Sequence, residues 1–108
     1  MMKLRYLNAL VAASILLASG PTRAGDNYLY GSVINMTTDA SGIFIMLDTG
    51  VPTNCASSPY GWMQIKAANK TMIAVFLTMY ALGKKVATVY TIPTPSGYCE
   101  ITQYDPTE

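Results

Sequence analysis

The sequence predicts a small, mainly β domain with one helix, and three observations carry that prediction. Short segments rich in aromatic and β-branched residues recur along the chain and are separated by Gly, Pro, Asn and Asp turns, as in folds built from short strands. One longer segment, residues 69–83, carries apolar residues at helical spacing and has no turn residue in its interior. The 108 residues include two cysteines, which is typical of a small domain held by one disulfide bond.

The first 24 residues are predicted to be a signal peptide. They contain a basic start, an apolar stretch over residues 7–18, and small residues at Thr22 and Ala24 that fit a cleavage site. The alternative is an N-terminal membrane anchor, but the apolar stretch is shorter than the about 20 residues that a span needs. We therefore expect cleavage after Ala24, a secreted or periplasmic protein, and one domain over residues 25–108.

Three strands are predicted before the helix. Residues 28–36 mix aromatic and β-branched side chains, a turn follows over residues 37–42, and residues 43–47 complete a hairpin. Within the first strand, the glycine at residue 31 suggests a bulge or a close approach of the backbone. A polar loop then leads to a short third strand at residues 62–65.

The helix is predicted between Asn69 and Gly83. Asn69 suits the N-cap, where its side chain would accept from free backbone N–H groups, and Gly83 suits the left-handed position just past the end. A helical projection places one apolar stripe toward the core. That stripe consists of Met72, Val75, Phe76, Met79 and Leu82.

The opposite side of the helix is almost as apolar. It carries Ile73, Ala74, Leu77, Tyr80 and Ala81. A helix that is apolar all round needs cover on both sides, and so small a domain is too short to surround it. We therefore predict a homo-oligomer. The candidate interface residues are Ile73, Leu77, Tyr80 and Ala81.

Two further strands are predicted at residues 85–92 and 98–104, joined by a tight turn over residues 93–97. Three strands, one helix and two strands follow the order of an OB-fold, a five-stranded, partly open barrel with its helix between the third and fourth strands. An unrelated small α+β sheet is the alternative that this order leaves open.

Cys55 and Cys99 are predicted to form a disulfide bond, because an isolated pair in an exported protein is most simply oxidised. In the chain-entropy account, a loop of this length stabilises the fold by roughly 4 kcal/mol. The alternative is a metal or redox pair, which lacks both C-x-x-C spacing and any histidine.

Charge and composition exclude several functions. After residue 24 the chain has four lysines and no arginine against six carboxylates, which gives a net charge of −2, although the full chain carries +1. Such a domain lacks the cationic surface that nucleic acids require. Without histidine there is no Ser-His-Asp triad and no imidazole metal ligand. We expect no enzyme, cofactor or metal site, and a small hydrolase with paired carboxylates is the enzymatic alternative.

Tyrosine is the side chain that the domain has in excess, with seven of the eight after residue 24. A tyrosine ring offers a flat apolar face with a polar tip, which suits protein interfaces and stacking on sugar rings. The alternative is that tyrosine is simply a good strand former in a half-exposed sheet. Tyr28 and Tyr30 are the better binding candidates, because residues two apart on a strand share one face.

Several motifs are similar to those of a known family. The segment MYALGKKV at residues 79–86, followed by Val89-Tyr90, is similar to the family's helix end, glycine and strand ending in Tyr. Further similar motifs are Gly25-Asp26, Gly31-Ser32-Val33-Ile34, Phe44-x-Met46 and the order from Cys55 to Trp62. On these residues the chain resembles, over most of residues 26–104, the B subunits of subtilase cytotoxin and typhoid toxin.

The resemblance implies a secreted OB-fold domain that assembles as a homopentamer, binds host glycans including sialylated ones, and delivers a toxic A chain. Asp26 and Tyr90 match positions in the family's glycan pocket. The family's serine before the strand-one glycine is Tyr30 here, and Ser32 would replace it only in a different register. The candidate glycan-binding residues are therefore Asp26, Tyr28, Tyr30, Ser32 and Tyr90. The alternative function is a secreted or periplasmic OB-like interaction module without sugar binding.

Overall fold

Five strands and one α-helix make up the part of the chain that the computed structural model describes, residues 26–107. The predicted signal peptide, residues 1–24, lies outside this range. Two short 3-10 turns stand in the loop between the second and third strands. The elements are β1 (Tyr28–Asp39), β2 (Gly42–Leu47), the turns Thr53–Cys55 and Pro59–Gly61, β3 (Met63–Lys66), α1 (Lys70–Ala81), β4 (Val86–Pro93) and β5 (Cys99–Pro106).

The strands close into a barrel in the order β1-β2-β3-β5-β4. β3 and β5 pair in parallel, and the other neighbouring pairs, including β1 with β4, are antiparallel. Each of these strands therefore has a partner on both sides, so no strand of the described residues stands at a sheet edge. The predicted five-stranded, mainly β fold with its helix between the third and fourth strands is confirmed, and the OB-fold name stays a prediction.

β1 is long enough to pair with a different strand along each half of its length. Its first part pairs with β4 and its second part with β2, and a shift in register between Val33 and Asn35 separates the two. The predicted β1–β2 hairpin is present, although β1 continues to Asp39, three residues beyond its expected end. The extension forms because the predicted turn residues pair with β2, Thr37 opposite Phe44 among them.

Gly31 is required by a close approach of the backbone. A Cβ at this position would collide with the side-chain oxygens of Asp48 and Thr49. Those side chains are held in place there: Ser32 N–H donates to Asp48 Oδ1 at 2.8 Å, and Thr49 Oγ1 donates to the Tyr30 carbonyl at 2.9 Å. Of the two predicted reasons for this glycine, the close approach is the one that applies, since the bulge lies further along β1.

The core lies inside the barrel, and the helix closes one end of it. Inward-pointing side chains alternate with outward ones along the strands, as period two requires, except at the irregularities in β1 and in the β4–β5 pairing. Phe76 of α1 is fully buried against these strands, with its ring 5.4 Å from that of Tyr104 in an edge-to-face arrangement. The main core residues are Val33, Ile43, Ile45, Leu47, Met63, Ile65, Phe76, Ala87, Val89 and Ile101.

The helix is rotated relative to its predicted orientation. Met72 and Phe76 face the core as expected, but Ile73 and Tyr80 pack beside them. Val75 and Leu82, which were expected inside, are exposed, Leu82 at 65%. The buried stripe of the helix is centred on Phe76. With 100° of rotation per residue, this centre lies about 60° around the helix axis from the centre of the predicted stripe. The prediction failed because both sides are apolar, so hydrophobicity alone does not select the face.

The two helix ends differ in how well they agree with the capping predicted from the sequence. Asn69 is the N-cap residue, but its side chain makes no capping hydrogen bond, because its ψ of 63° lies outside the extended region that N-cap side chains need. At the other end, Gly83 adopts a φ of +76°. Gly83 N–H donates to the Tyr80 carbonyl and Lys84 N–H to that of Met79, which is a Schellman motif.

The predicted disulfide bond is confirmed. Cys55 and Cys99, with Cα atoms 5.4 Å apart, tie the loop after β2 to the start of β5. Both residues are buried and belong to the core. Among residues 26–107, no helix is long and apolar enough to cross a membrane.

Candidate functional site

Three tyrosines meet on the outer surface of the barrel where β1 pairs with β4. We call Tyr28, Tyr30 and Tyr90 the tyrosine face. Tyr28 lies directly opposite Tyr90 in the strand pairing, and Tyr30 lies opposite Thr88, so Tyr30 and Tyr90 are diagonal neighbours. The rings of Tyr28 and Tyr90 are tilted by 39° with their centroids 6.2 Å apart.

The tyrosine face is open to solvent. Tyr28 and Tyr30 are 53% and 59% exposed, and Tyr90 is half-buried between its neighbours. These side chains point outward because their neighbours along the strands, Leu29 and Val89, face the core. The arrangement therefore offers apolar ring surfaces and phenol hydroxyls on a sheet whose other side packs in the core.

The backbone at one end of the tyrosine face is held by the loop after β2. Asp26 N–H donates to Thr53 Oγ1 at 2.6 Å, and Asn54 N–H donates to the Asp26 carbonyl at 3.1 Å. The same loop reaches β4, where Asn54 Nδ2 donates to the Thr91 carbonyl at 2.9 Å and Thr91 Oγ1 donates to Asn54 Oδ1 at 3.0 Å. Asp26 is thus fixed at the edge of the face, beside the end of β4 that carries Tyr90.

Ser32 lies at the opposite end of the face. It points to the same side of β1 as Tyr28 but stands opposite Val86 and is partly buried. It stands four positions along the strand from Tyr28, a distance of roughly 13 Å. The structure therefore brings Tyr28, Tyr30 and Tyr90 together and places the other two predicted residues at the two ends.

Sequence reasoning missed the polar neighbours that β4 and β5 contribute. Gln103 is paired with Tyr90, and Asp105 is paired with Thr88, so these side chains border the tyrosines on the same outer surface. Thr102 Oγ1 also donates to the Tyr90 carbonyl at 3.2 Å. The β4–β5 hairpin was predicted, but its register includes a shift after Tyr90 that no local motif marks.

A groove of about 480 Å³ adjoins the tyrosine face at Gln103. It runs between β5 and the start of α1, and its polar lining includes Lys70, Thr71 and Thr102. Its volume falls within the about 300–1,000 Å³ of ordinary ligand pockets. Gln103 thus belongs both to the border of the tyrosine face and to this groove.

Two carboxylates, Asp26 and Asp105, lie at the border of the tyrosine face, and Lys70 lines the adjoining groove. The two carboxylates can accept hydrogen bonds from ligand hydroxyls and would repel an anionic group. In the described part of the chain, no cluster of three or more His, Cys, Asp or Glu residues could hold a metal ion. The chemistry that this surface offers is stacking and hydrogen bonding.

Comparison with protein-family models, curated proteins and solved structures finds no match to this chain. The similarity to toxin B subunits therefore stays a prediction, carried by the quoted motifs.

The predicted oligomer-interface residues divide into two pairs. Leu77 and Ala81 are exposed. Ile73 and Tyr80 instead pack against the core, and Lys85 Nζ lies 5.1 Å from the centre of the Tyr80 ring. Leu77 and Ala81 belong to an exposed apolar surface that we call the outer helix surface. It consists of Ala74, Val75, Leu77, Ala81 and Leu82.

Proposed function

We propose that the chain is a secreted glycan-binding domain whose sugar-contacting surface is the tyrosine face. The observation that carries this proposal is the meeting of Tyr28, Tyr30 and Tyr90 on one exposed sheet surface. Tyrosine rings can stack on the C–H face of a sugar while their hydroxyls and the neighbouring Gln103 bond to its hydroxyl groups. An open surface of this kind suits a chain of sugars better than a single enclosed ring.

We further propose that the domain acts as a B subunit, in a homopentamer that delivers a toxic A chain to host cells. Three features support this role: the signal-peptide pattern, the Cys55–Cys99 disulfide and the exposed outer helix surface. An isolated shallow sugar site has an affinity of about millimolar. Five copies in one ring raise the overall affinity by orders of magnitude without any new contact, because the later binding events become intramolecular.

A glycan array with the purified, oxidised protein tests the sugar-binding proposal. Tyr28→Ala and Tyr90→Ala should each lower the signal by tenfold or more, because each removes a stacking surface. Tyr60→Ala is the matched control, since Tyr60 is 87% exposed but lies in the Pro59–Gly61 turn. No array signal from the unaltered protein, or equal losses in all three variants, would contradict the proposal.

The second candidate is an interaction module without sugar binding. It is favoured by the outer helix surface, where Leu77 is 43% exposed and Leu82 more so. Exposed leucines grouped on one helix surface are typical of a protein interface. Light scattering after size exclusion separates the possibilities: a monomer that binds a protein partner but no glycan favours the module, and a glycan-binding pentamer favours the B subunit.

A further inference from the structure

The outer surface of β2 and β3 holds a second groove, separate from the tyrosine face. Its volume is about 410 Å³, and it lies between the β1–β2 turn and the β4–β5 turn. We call it the turn groove. Its lining includes Asp39, Ser41, Phe44, Gln64, Thr94 and Tyr98.

The floor of the turn groove is unusual for the outside of a barrel. Phe44 and Gln64 are paired neighbours that point outward from β2 and β3, yet they are 7% and 8% exposed. Outward side chains on a sheet of this kind are normally solvated. Here the β4–β5 turn folds over them, and the Tyr98 ring packs on Phe44 at 5.0 Å in an edge-to-face arrangement. The result is a recess with an aromatic wall.

The polar groups of the turn groove are held in position by one another. Gln64 Nε2 donates to Ser41 Oγ at 2.8 Å, and Ser41 N–H donates to Asp39 Oδ1 at 2.7 Å. On the other wall, Thr94 Oγ1 donates to the Tyr98 carbonyl at 2.7 Å. Groups positioned in this way lose little freedom when a ligand binds, which favours affinity.

The charges favour a ligand without a negative group. Hydrogen bonds from Ser41 hold the pKa of Asp39 below its ordinary value of 3.8, so its carboxylate is ionised at neutral pH. The cation at the groove, Lys66, is paired with Glu100, at 3.4 Å between Nζ and Oε2. An anionic sugar would meet the Asp39 charge where, among residues 26–107, the cation that lines the groove is already paired, whereas neutral hydroxyl groups can donate to that carboxylate.

We propose that the turn groove binds one neutral pyranose ring. The apolar C–H face of the sugar lies against Tyr98, and neighbouring hydroxyl groups bond to the Asp39 carboxylate and the Gln64 amide. The groove uses none of the tyrosine-face residues, so this site stands even where the tyrosine face binds nothing. A single ring in a recess of this size binds with about millimolar affinity.

The test is an NMR titration of ¹⁵N-labelled, oxidised protein with methyl β-galactoside, methyl α-glucoside and sialyllactose, up to tens of millimolar. At least one neutral glycoside should shift the signals of Ser41, Tyr98 and the Gln64 side-chain amide. Signals from Thr88 and Gln103 report on the tyrosine face separately, so failure at one site is distinguishable from failure at the other. No shift in the turn groove, or tighter binding of sialyllactose there, would overturn the proposal.

Two variants sharpen this test. Asp39→Asn keeps the acceptor for Ser41 but removes the charge, and it should weaken glycoside binding at the turn groove tenfold or more. Asp48→Asn is the matched control, because Asp48 also accepts a backbone N–H but stands at the other end of β2. Equal affinity in the two variants would contradict the assignment. Should Asp39→Asn unfold, contacts between sugar protons and the Tyr98 ring in the unaltered protein decide the question: their presence supports the site, and their absence overturns it.

Discussion

The tyrosine face and the turn groove are made of similar side chains but differ in the solvent exposure of those side chains. Tyr28 and Tyr30 stand more than half exposed on a sheet surface that no loop within residues 26–107 covers. Phe44 and Gln64 also point outward from their strands, and the β4–β5 turn buries them almost completely. The difference shows that period-two alternation selects the side of the sheet, whereas a distant turn decides whether that side becomes a flat platform or a recess.

The largest effect on stability is expected from a substitution in the buried side of the helix, because both surfaces depend on the barrel that the helix closes. Phe76→Ala should lower the free energy of unfolding by about 3–5 kcal/mol, since it empties a fully buried aromatic site. Leu77→Ala, one position along the helix, should cost less than about 1 kcal/mol in a monomer. Urea unfolding followed by Trp62 fluorescence measures both. Equal costs would mean that the helix packs in a different rotation.

The disulfide connects the two regions, and its removal should have the next largest effect on stability. Cys55 belongs to the loop that holds Asp26, and Cys99 directly follows Tyr98 of the turn groove. Replacing both cysteines by alanine should lower the free energy of unfolding by roughly 2–4 kcal/mol. Sugar-induced NMR shifts in the turn groove should disappear before those at the tyrosine face. The reason is that the disulfide fixes the chain at Cys99, directly after Tyr98. Unchanged urea midpoints with and without a reducing agent would contradict this expectation.

Acid should weaken sugar binding at the turn groove, because Asp39 is one of its proposed ligands. The pKa of Asp39 is lowered by its bonds from Ser41, so the ionised carboxylate stabilises the β1–β2 turn at pH values above 3.8, and that contribution is lost as the pH falls through the lowered pKa. The effect on stability is small because Asp39 is exposed. Glycoside binding at the turn groove should nevertheless decrease several-fold on protonation. NMR titrations at neutral pH and at an acidic pH where the Asp39 side-chain carbon signal shows a protonated carboxyl measure it, and equal affinities for the two forms would argue against Asp39 as a ligand.

The smallest effect is expected at alkaline pH and involves Tyr104, which lies behind both surfaces in the core. Burial raises the pKa of its phenol, so the folded protein keeps the proton at pH values where the unfolded chain has lost it. Stability should therefore fall as the pH rises above about 10. Tyr104→Phe should make that decline shallower in urea unfolding at pH 9 to 11. An unchanged decline would show that other groups cause it.

Local sequence patterns predicted the parts of this structure that depend on neighbouring residues. The strands follow from alternation and turn residues, and the helix end follows from Gly83 in the left-handed conformation. The shared side of Tyr28 and Tyr30 follows from their spacing. In each case, the information lies within a few residues of the feature.

The missed features depend on contacts between distant segments. The buried face of the helix could not be predicted because Ile73 and Val75 are equally apolar. Only packing against the barrel determines that Ile73 is the one that faces the core. The turn groove needs Phe44, Gln64 and Tyr98 to meet, and 34 positions separate the last two. Gln103 beside Tyr90 likewise depends on a register shift that no sequence motif announces.

The most direct test of sugar binding at the tyrosine face observes the rings themselves. Protein with ¹³C-labelled tyrosine is titrated with a glycan selected on the array, and each ring signal is assigned by a Tyr→Phe variant. The ring signals of Tyr28 and Tyr90 should move together and saturate at one affinity, while that of Tyr60 stays in place. Binding that leaves Tyr28 and Tyr90 unmoved would place the sugar elsewhere and contradict the proposed function of this face.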